Sequence, residues 1–529
     1  MKAYLMFEGR DFDFGAGLPP NADDLVQDLE LETLLTAMAG GDKFLYSVAA
    51  HALFSSLEYP EEIIYRQHVL DDCIAHPEIV REMYAIVVEA ITCERKLYRY
   101  SMSGVSGVLH RAVEALELFV ELLKRLRQIA ADHGDEFRSE GLRALFAMLK
   151  ANLDGHYFAT IDEHLNRLRF KDGMLISAEL GRGNKGTSYV LHESLNMRKS
   201  WKERIGIGPR TSYTFEIHPR DDAGHAALTE LCNRGINLVA NALAQSSDHI
   251  LSFFSMFVAE IGFYVSCLNL HDLLLAKNEP VCMPVPAPST STVLSFKGIY
   301  DVCLALRTER RVVGNEANAD EMSLVMITGA NSGGKSTLLR SIGLAQLMMQ
   351  CGMFVSAEAL RANVGAGLFT HFIREEDDSM TSGKLDEELA RMSMIADQIA
   401  PRCMVLFNES FAATNEREGS EIARQIISAL LEAGVKVLVV THQFTLASAF
   451  YAQKLDTALF LRAERAVDGR RSFKLVEGEP LPTSFSVDLY RRVGGFEKVA
   501  VANTASVDGL GAIEVGTSEA DSTGSPLGS

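Results

Sequence analysis

Closely spaced cysteine pairs are missing from this chain. Its eight cysteines stand at 73, 93, 232, 267, 282, 303, 351 and 403, and none forms a C-x-x-C pair. This spacing excludes a disulfide framework or a cysteine-based structural zinc site as an organising feature. A secretory leader is also not expected, because Met1 to Glu8 is short and already charged. The two absences together lead to the expectation of a cytoplasmic protein. Positive charge is scarce: the formal net charge is −19, which excludes a chain that binds nucleic acid merely by being basic throughout. One run, Ile250 to Leu270, is long enough at 21 residues to span a bilayer. It carries Glu260 near its centre, and no lysine or arginine follows before Lys277. An ionisable group at that depth is costly in lipid, so the run is expected to be a buried helix, with no membrane partner.

At 529 residues the chain exceeds a single core and is expected to hold two to four domains. Hydrophobic content of 47% and charged content of 23% are those of a globular protein. Residues 1–24, with prolines, glycines and aspartates, read as an irregular lead-in, and 25–154 as a helical domain. Pro60 and Pro77, each followed by glutamate, mark helix starts. Val113, Leu116, Phe119, Leu123 and Leu126 lie at three- and four-residue spacing on a long amphipathic helix. The Phe119-Val120-Glu121 triplet within it reads as packing. From about 155 to 221 the texture turns to strands, over Leu175–Leu180, Thr187–Leu191 and Tyr213–Ile217. Helices return over 222–285, and 286–500 alternates strand and helix as an α/β unit. The last 29 residues hold four acids and no bases among Ser, Thr, Gly and Ala, and are expected to be a disordered tail.

The most informative residues are Thr328-Gly329-Ala330-Asn331-Ser332-Gly333-Gly334-Lys335-Ser336-Thr337. Gly329, Gly334, Lys335 and Ser336 fit the phosphate-loop pattern G-x-x-x-x-G-K-S/T. The apolar run Leu324–Ile327 precedes them, and a proline-free stretch from Leu338 to Gln350 follows. In that strand–loop–helix setting, backbone N–H groups and the helix N-terminus face the phosphates of ATP. Lys335 adds a point charge there, and the Ser336 hydroxyl is a ligand for Mg²⁺. Downstream, Met404–Phe407 is a buried strand ending in Asn408-Glu409. Glu409 is the candidate to take a proton from, or orient, the attacking water. Asn408 stands where an aspartate usually supports the metal; its amide oxygen reaches Mg²⁺ only through water, without charge. Val437–Val440 is a third buried strand, ending in Thr441-His442, and His442 is the candidate to reach or sense the γ-phosphate.

Charge is unevenly spread. Between Arg167 and Arg210 ten basic residues oppose four acidic ones. Arg182, Lys185, Arg198, Lys199, Lys202 and Arg204 are the candidate contacts for a DNA phosphate backbone.

The loop at 328–337 resembles the TGPNMGGKST loop of the MutS mismatch-repair ATPases. Asn408 to Gly419 is similar to that family's DEIGRGTSTYDG segment, matching at Glu409, Thr414 and Gly419, and Thr441-His442 matches its ATHY. Val313-Gly314-Asn315 lies where the family has a pre-loop motif ending in asparagine. Pro482-Thr483-Ser484-Phe485 resembles the GTSYG that opens its C-terminal dimerisation helices. The likeness is strong over 310–496; upstream it rests on the order helices, strand-rich insertion, helices. It implies a multidomain protein: an all-α lever and core region with a strand-containing, clamp-like insertion, then an α/β P-loop ATPase domain of the ABC type. It further implies an ATP- and Mg²⁺-dependent ATPase, dimeric through its ATPase domains, that closes on DNA, more a branched or distorted duplex than a mismatch. Departures are visible. No N-terminal domain with a Phe-x-Glu wedge and no nuclease domain after the ATPase are expected. The segment around Asp377–Glu388 is shortened, leaving Ser379 and Ser382 as alternatives for the serine that enters the partner's site. An ATP-gated protein-assembly or signalling module without a DNA partner is the alternative reading.

Overall fold

The computed structural model describes residues 1–99, 104–171, 173–192, 215–329, 333–374, 383–465 and 471–481. Its first part is helical: α1 (Ala22–Asp28), α2 (Leu31–Ala39), α3 (Lys43–Phe54), α4 (Pro60–Ala75), α5 (Pro77–Arg99), α6 (Val105–His133), α7 (Glu140–Asn152) and α8 (Gly155–Leu168). Pro60 and Pro77 do open α4 and α5, where a missing N–H costs nothing. On α6 the five spaced apolar residues are all buried, and the Phe119 ring meets that of Phe254 at 5.4 Å. Phe119 and Val120 are therefore core, while Glu121 is exposed and pairs with Lys124 at 2.7 Å.

A hairpin follows, of β1 (Leu175–Leu180) and β2 (Gly186–His192), antiparallel and joined through the turn at Arg182–Asn184. Two sequence expectations are corrected here. Strand texture does not begin near 155, because Gly155–Leu168 is α8, capped by the Asp154 carboxylate on the Tyr157 N–H at 2.7 Å. Nor do Phe215–Ile217 form a strand: among the described residues β1 and β2 pair only with each other, and Phe215 is 82% exposed. Tyr213 and Thr214 lie outside the described residues.

The 55-residue α9 (Asp222–Ala276) then packs against α6, α5, α3 and α2. Its apolar stretch has the length and composition of a membrane span, yet 72% of it is buried inside the protein. Phe253, Phe254, Phe257, Ile261 and Phe263 are all within this core, each side chain worth about 1.5–3 kcal/mol on burial. Glu260, also buried, accepts from the Leu5 N–H at 2.6 Å and the Phe12 N–H at 3.3 Å. Burial pushes its carboxyl up to about 7 against those bonds. Residues 1–21 thus lack regular structure but are packed: Leu5, Met6 and Phe7 are buried, and the wholly buried Arg66 donates to the Met6 carbonyl at 2.9 Å.

The remaining elements are β3 (Val285–Ala287), β4 (Leu294–Ile299), α10 (Val302–Arg307), β5 (Asn315–Asn318), β6 (Leu324–Thr328), α11 (Lys335–Gln350), β7 (Ala359–Asn363), β8 (Leu368–Phe372), α12 (Lys384–Gln398), β9 (Met404–Asn408), α13 (Glu416–Glu432), β10 (Lys436–Val440), α14 (Phe444–Ala452), β11 (Ala458–Arg465) and β12 (Arg471–Glu477). The main sheet has the order β12-β11-β6-β10-β9-β8, parallel except for β12. Apolar runs such as Val437–Val440 suit strands covered on both faces. A smaller sheet, β3-β7-β4-β5, lies beside it. Parallel strands bring their C-terminal ends to one edge, and the candidate site lies there.

Candidate functional site

β6 ends at Thr328, and the chain turns through Gly329 and Gly334 into α11, whose first residue is Lys335. Both glycines are in the left-handed region, with φ of +116° and +90°. A Cβ on Gly329 would meet the Ala463 backbone nitrogen at 2.9 Å, and one on Gly334 the Phe473 carbonyl at 3.3 Å. Only glycine satisfies both conformation and space at Gly329. The buried Lys335 ammonium donates to the Gly329 carbonyl at 3.0 Å. Burial lowers its pKa, while the charge of Glu409 opposes that shift. Gly333 is buried at the loop's end, Ser336 and Thr337 follow on α11, and Ala330, Asn331 and Ser332 lie outside the site's described backbone.

The registers β10–β6 and β10–β9 place Val440 beside Ile327 and Asn408, so three strand ends converge. There the Ser336 hydroxyl donates to Asn408 Oδ1 at 2.8 Å. The Glu409 N–H donates to the Val440 carbonyl at 2.9 Å, and His442 Nδ1 lies 3.8 Å from Glu409 Oε1. Interaction with His442 holds the Glu409 carboxyl below its ordinary range, against partial burial and with help from Lys335. Glu409 raises His442 in return, against burial and the charge of Lys335. Their side chains remain 30% and 42% exposed, so both are open to a ligand.

The other motif residues are structural supports. Asn315 joins the two sheets, accepting from the Leu475 N–H at 2.8 Å and donating to the Phe473 carbonyl at 3.2 Å. Thr414 donates to Glu418 at 3.0 Å, and Asn415 caps α13 through the Glu418 N–H. At Gly419 a Cβ would lie 2.2 Å from the Phe411 carbonyl, which requires glycine for α13 to pack. Sequence reasoning missed Gln443, which is buried, accepts from the Ser420 hydroxyl at 3.2 Å and donates to the Phe411 carbonyl at 3.3 Å. It also missed His371 and Glu388, both buried and bonded to Ser410 and Phe411, the two residues that follow Glu409. A polar His371 inside the apolar strand Leu368–Phe372 was the available signal.

Beside β12 a cleft of about 310 Å³ is lined by Glu279, Tyr300, Arg311, Gly314 and Lys474. Glu279 Oε2 and the Tyr300 hydroxyl are buried there without a hydrogen bond, with Arg311 Nε 4.0 Å from Glu279.

Of the DNA candidates, Arg182 and Lys185 are exposed at the hairpin turn, far along the chain from this edge. Arg198, Lys199, Lys202 and Arg204 lie outside the described residues, as do Ser379, Ser382 and Pro482–Phe485.

Two family models match the chain: the MutS2 N-terminal domain over residues 58–277, and MutS domain V over 325–505. The DNA mismatch repair protein MutS of Porphyromonas gingivalis is 31% identical over 539 residues, covering 89% of this chain and 58% of its own. An endonuclease MutS2 of Streptococcus equi subsp. equi is 29% identical over 195 residues, 36% of this chain and 24% of its own. MutS protein homolog 4 of Mus musculus is 24% identical over 238 residues, 44% of this chain and 24% of its own. The matched region thus spans about a quarter of two of these relatives and little more than half of the third.

Proposed function

The chain belongs to the MutS family, and from that premise we propose that it is an ATPase acting as an ATP-gated dimeric clamp on DNA in repair or recombination. One observation carries the ATP reading: Lys335, Ser336, Asn408, Glu409 and His442 come from three sequence segments and meet at one sheet edge. The residues suit the ligand. Gly329 and Gly334 hold the left-handed backbone that a phosphate-binding loop requires, and a hydroxyl with an amide oxygen offers hard, neutral oxygens to Mg²⁺. Ser336 would bind the ion directly and Asn408 through water. When bound, Mg²⁺ supplies neutralisation of charge on the β- and γ-phosphate oxygens.

Lys335, already desolvated, binds phosphate without a further burial cost. Glu409 stays ionised at neutral pH and can take the proton of a water attacking the γ-phosphate. His442, drawn toward its protonated form by Glu409, is placed to hold or sense the leaving phosphate. The cleft at Glu279 and Tyr300 offers an acceptor and a hydroxyl to the amino-bearing edge of a purine. Because Asn408 brings no charge to the metal, hydrolysis is slower than with aspartate at this place.

Two such α/β domains would close on each other with ATP, and α9 would carry that movement to the hairpin holding Arg182 and Lys185. DNA is then gripped through its phosphates, with weak sequence selectivity. The test is gel binding of duplex, mismatched and four-way DNA at low salt, with and without ATP. Four-way DNA retained more strongly with ATP supports the reading. A second reading, levers that grip a protein, is favoured by Leu180 and Leu238, exposed at 81% and 78%. Absence of every DNA complex at low salt decides for it.

A further inference from the structure

Glu409 and Phe411 flank Ser410 with φ of +56° and +59°, so two side-chain-bearing residues sit in the left-handed region within one turn. Such a turn persists only where its surroundings over-determine it. The surroundings are specific. The Ser410 hydroxyl lies 2.8 Å from His371 Nδ1 and 2.5 Å from the His371 carbonyl. The Phe411 ring stacks on His371, with centroids 5.1 Å apart and planes at 19°. Gln443 holds the Phe411 carbonyl, and the Phe411 N–H donates to the Glu388 carboxylate at 2.5 Å.

Glu388 is tied to this turn twice, since its own backbone carbonyl accepts from His371 Nε2 at 2.9 Å. Burial lowers His371 to about 4, so the ring is neutral at pH 7. With its proton on Nε2 toward Glu388, Nδ1 is left as an acceptor, and the single Ser410 hydroxyl proton lies between it and the His371 carbonyl. Burial raises the Glu388 carboxyl, and the Phe411 N–H pulls it back. Glu388 belongs to α12, not to the strand that carries Glu409, so two elements meet at one amide.

We propose that Glu388 is a positioning residue: its carboxylate oxygen fixes the Phe411 amide and thereby aims the Glu409 carboxylate, making α12 the element that sets hydrolysis. This rests on the ATPase reading above. It assigns Glu388 no contact with nucleotide. The role is acceptance of a hydrogen bond at a fixed reach, so length and acceptor character matter while negative charge does not.

The experiment compares the full chain with Glu388→Gln, Glu388→Ala and Glu388→Asp in three measurements. These are hydrogen exchange of the Phe411 amide in nucleotide-free protein, kcat and KM for ATP, and binding of a labelled ATP analogue. Glu388→Ala is expected to speed Phe411 exchange by about tenfold or more. It should lower kcat by about 10- to 100-fold, as a small misplacement of a catalytic group does, with KM and analogue binding within about threefold. Glu388→Gln, which keeps the acceptor oxygen and length, restores kcat to within about threefold of wild type. Glu388→Asp keeps the charge but is one methylene shorter; it should show the loss of the alanine variant, and it decides the matter should that variant not fold. Unchanged Phe411 exchange in both Glu388→Ala and Glu388→Asp overturns the proposal, as does faster exchange with unchanged kcat, or a Glu388→Gln as slow as Glu388→Ala. A wild-type protein that binds no analogue overturns the ATP reading instead, and the exchange measurement then still decides whether Glu388 holds the turn.

Discussion

Every residue of β6 and β10 is buried, whereas five of the six residues of β1 are exposed. At the sheet edge, Ser336 meets Asn408, Lys335 meets the Gly329 carbonyl, and Glu409 is held by Val440. At the hairpin the strands bond to each other, and support from α9 is slight: Ile176 sits over Gly235 and Arg234 lies 5.8 Å from the Tyr189 ring. Chemistry on a phosphate demands fixed geometry, since small displacements cost large factors in rate. Neutralising a polyanion needs charge and reach, and a mobile lysine supplies both. The two regions differ as those two tasks differ.

The contrast breaks most visibly at Lys335. Lys335→Ala is expected to abolish measurable binding of a labelled ATP analogue, a loss of at least about 10- to 150-fold from one charge-assisted bond alone. Wild-type affinity in this variant would show that the loop does not hold phosphate. Glu409→Gln should keep the analogue bound while kcat falls by about 10²- to 10⁴-fold, the usual worth of a positioned base. Wild-type turnover there would move the proton acceptor elsewhere.

The hairpin should respond gradually rather than all at once. Charge reversal at Arg182 and Lys185, then also at Lys199 and Lys202, is expected to flatten the salt dependence of DNA binding by about one unit of slope for each phosphate no longer neutralised. An unchanged slope would make the basic segment a solvated surface. The smallest effect is expected at Asn408. Asn408→Asp restores a charge beside Ser336 and should lower the Mg²⁺ concentration for half-maximal hydrolysis by a few-fold and raise the rate, on the order of one weak metal contact. Superimposed Mg²⁺ titrations would show that position 408 does not touch the metal shell.

What was legible in the sequence follows the same division. The loop at 328–337 was readable because fixed spacing and flanking apolar runs carry it, and the strands leading into Asn408-Glu409 and Thr441-His442 because four apolar residues precede each polar pair. Glu388 and Gln443 were not, because their partner Phe411 is 23 and 32 residues away and the contacts run through its backbone, which has no sequence identity to read. The packing of residues 1–21 was hidden for a similar reason. Leu5, Met6 and Phe12 offer main-chain groups to Glu260, Tyr264 and Arg66, and no periodicity announces that. Tyr213–Ile217 had strand composition, but a strand also needs a neighbour, and composition does not supply one.

Coupling between the sheet edge and the hairpin is read most directly from the affinity of the Glu409→Gln protein for four-way DNA at low salt, with saturating MgATP and without nucleotide. Because coupling between two sites is reciprocal, ATP affinity should shift by the same factor when DNA is added. DNA binding at least about fivefold tighter with ATP is expected, within the usual range of such couplings. Identical DNA affinities in the two states, measured on protein shown to hold ATP, would contradict an ATP-gated clamp.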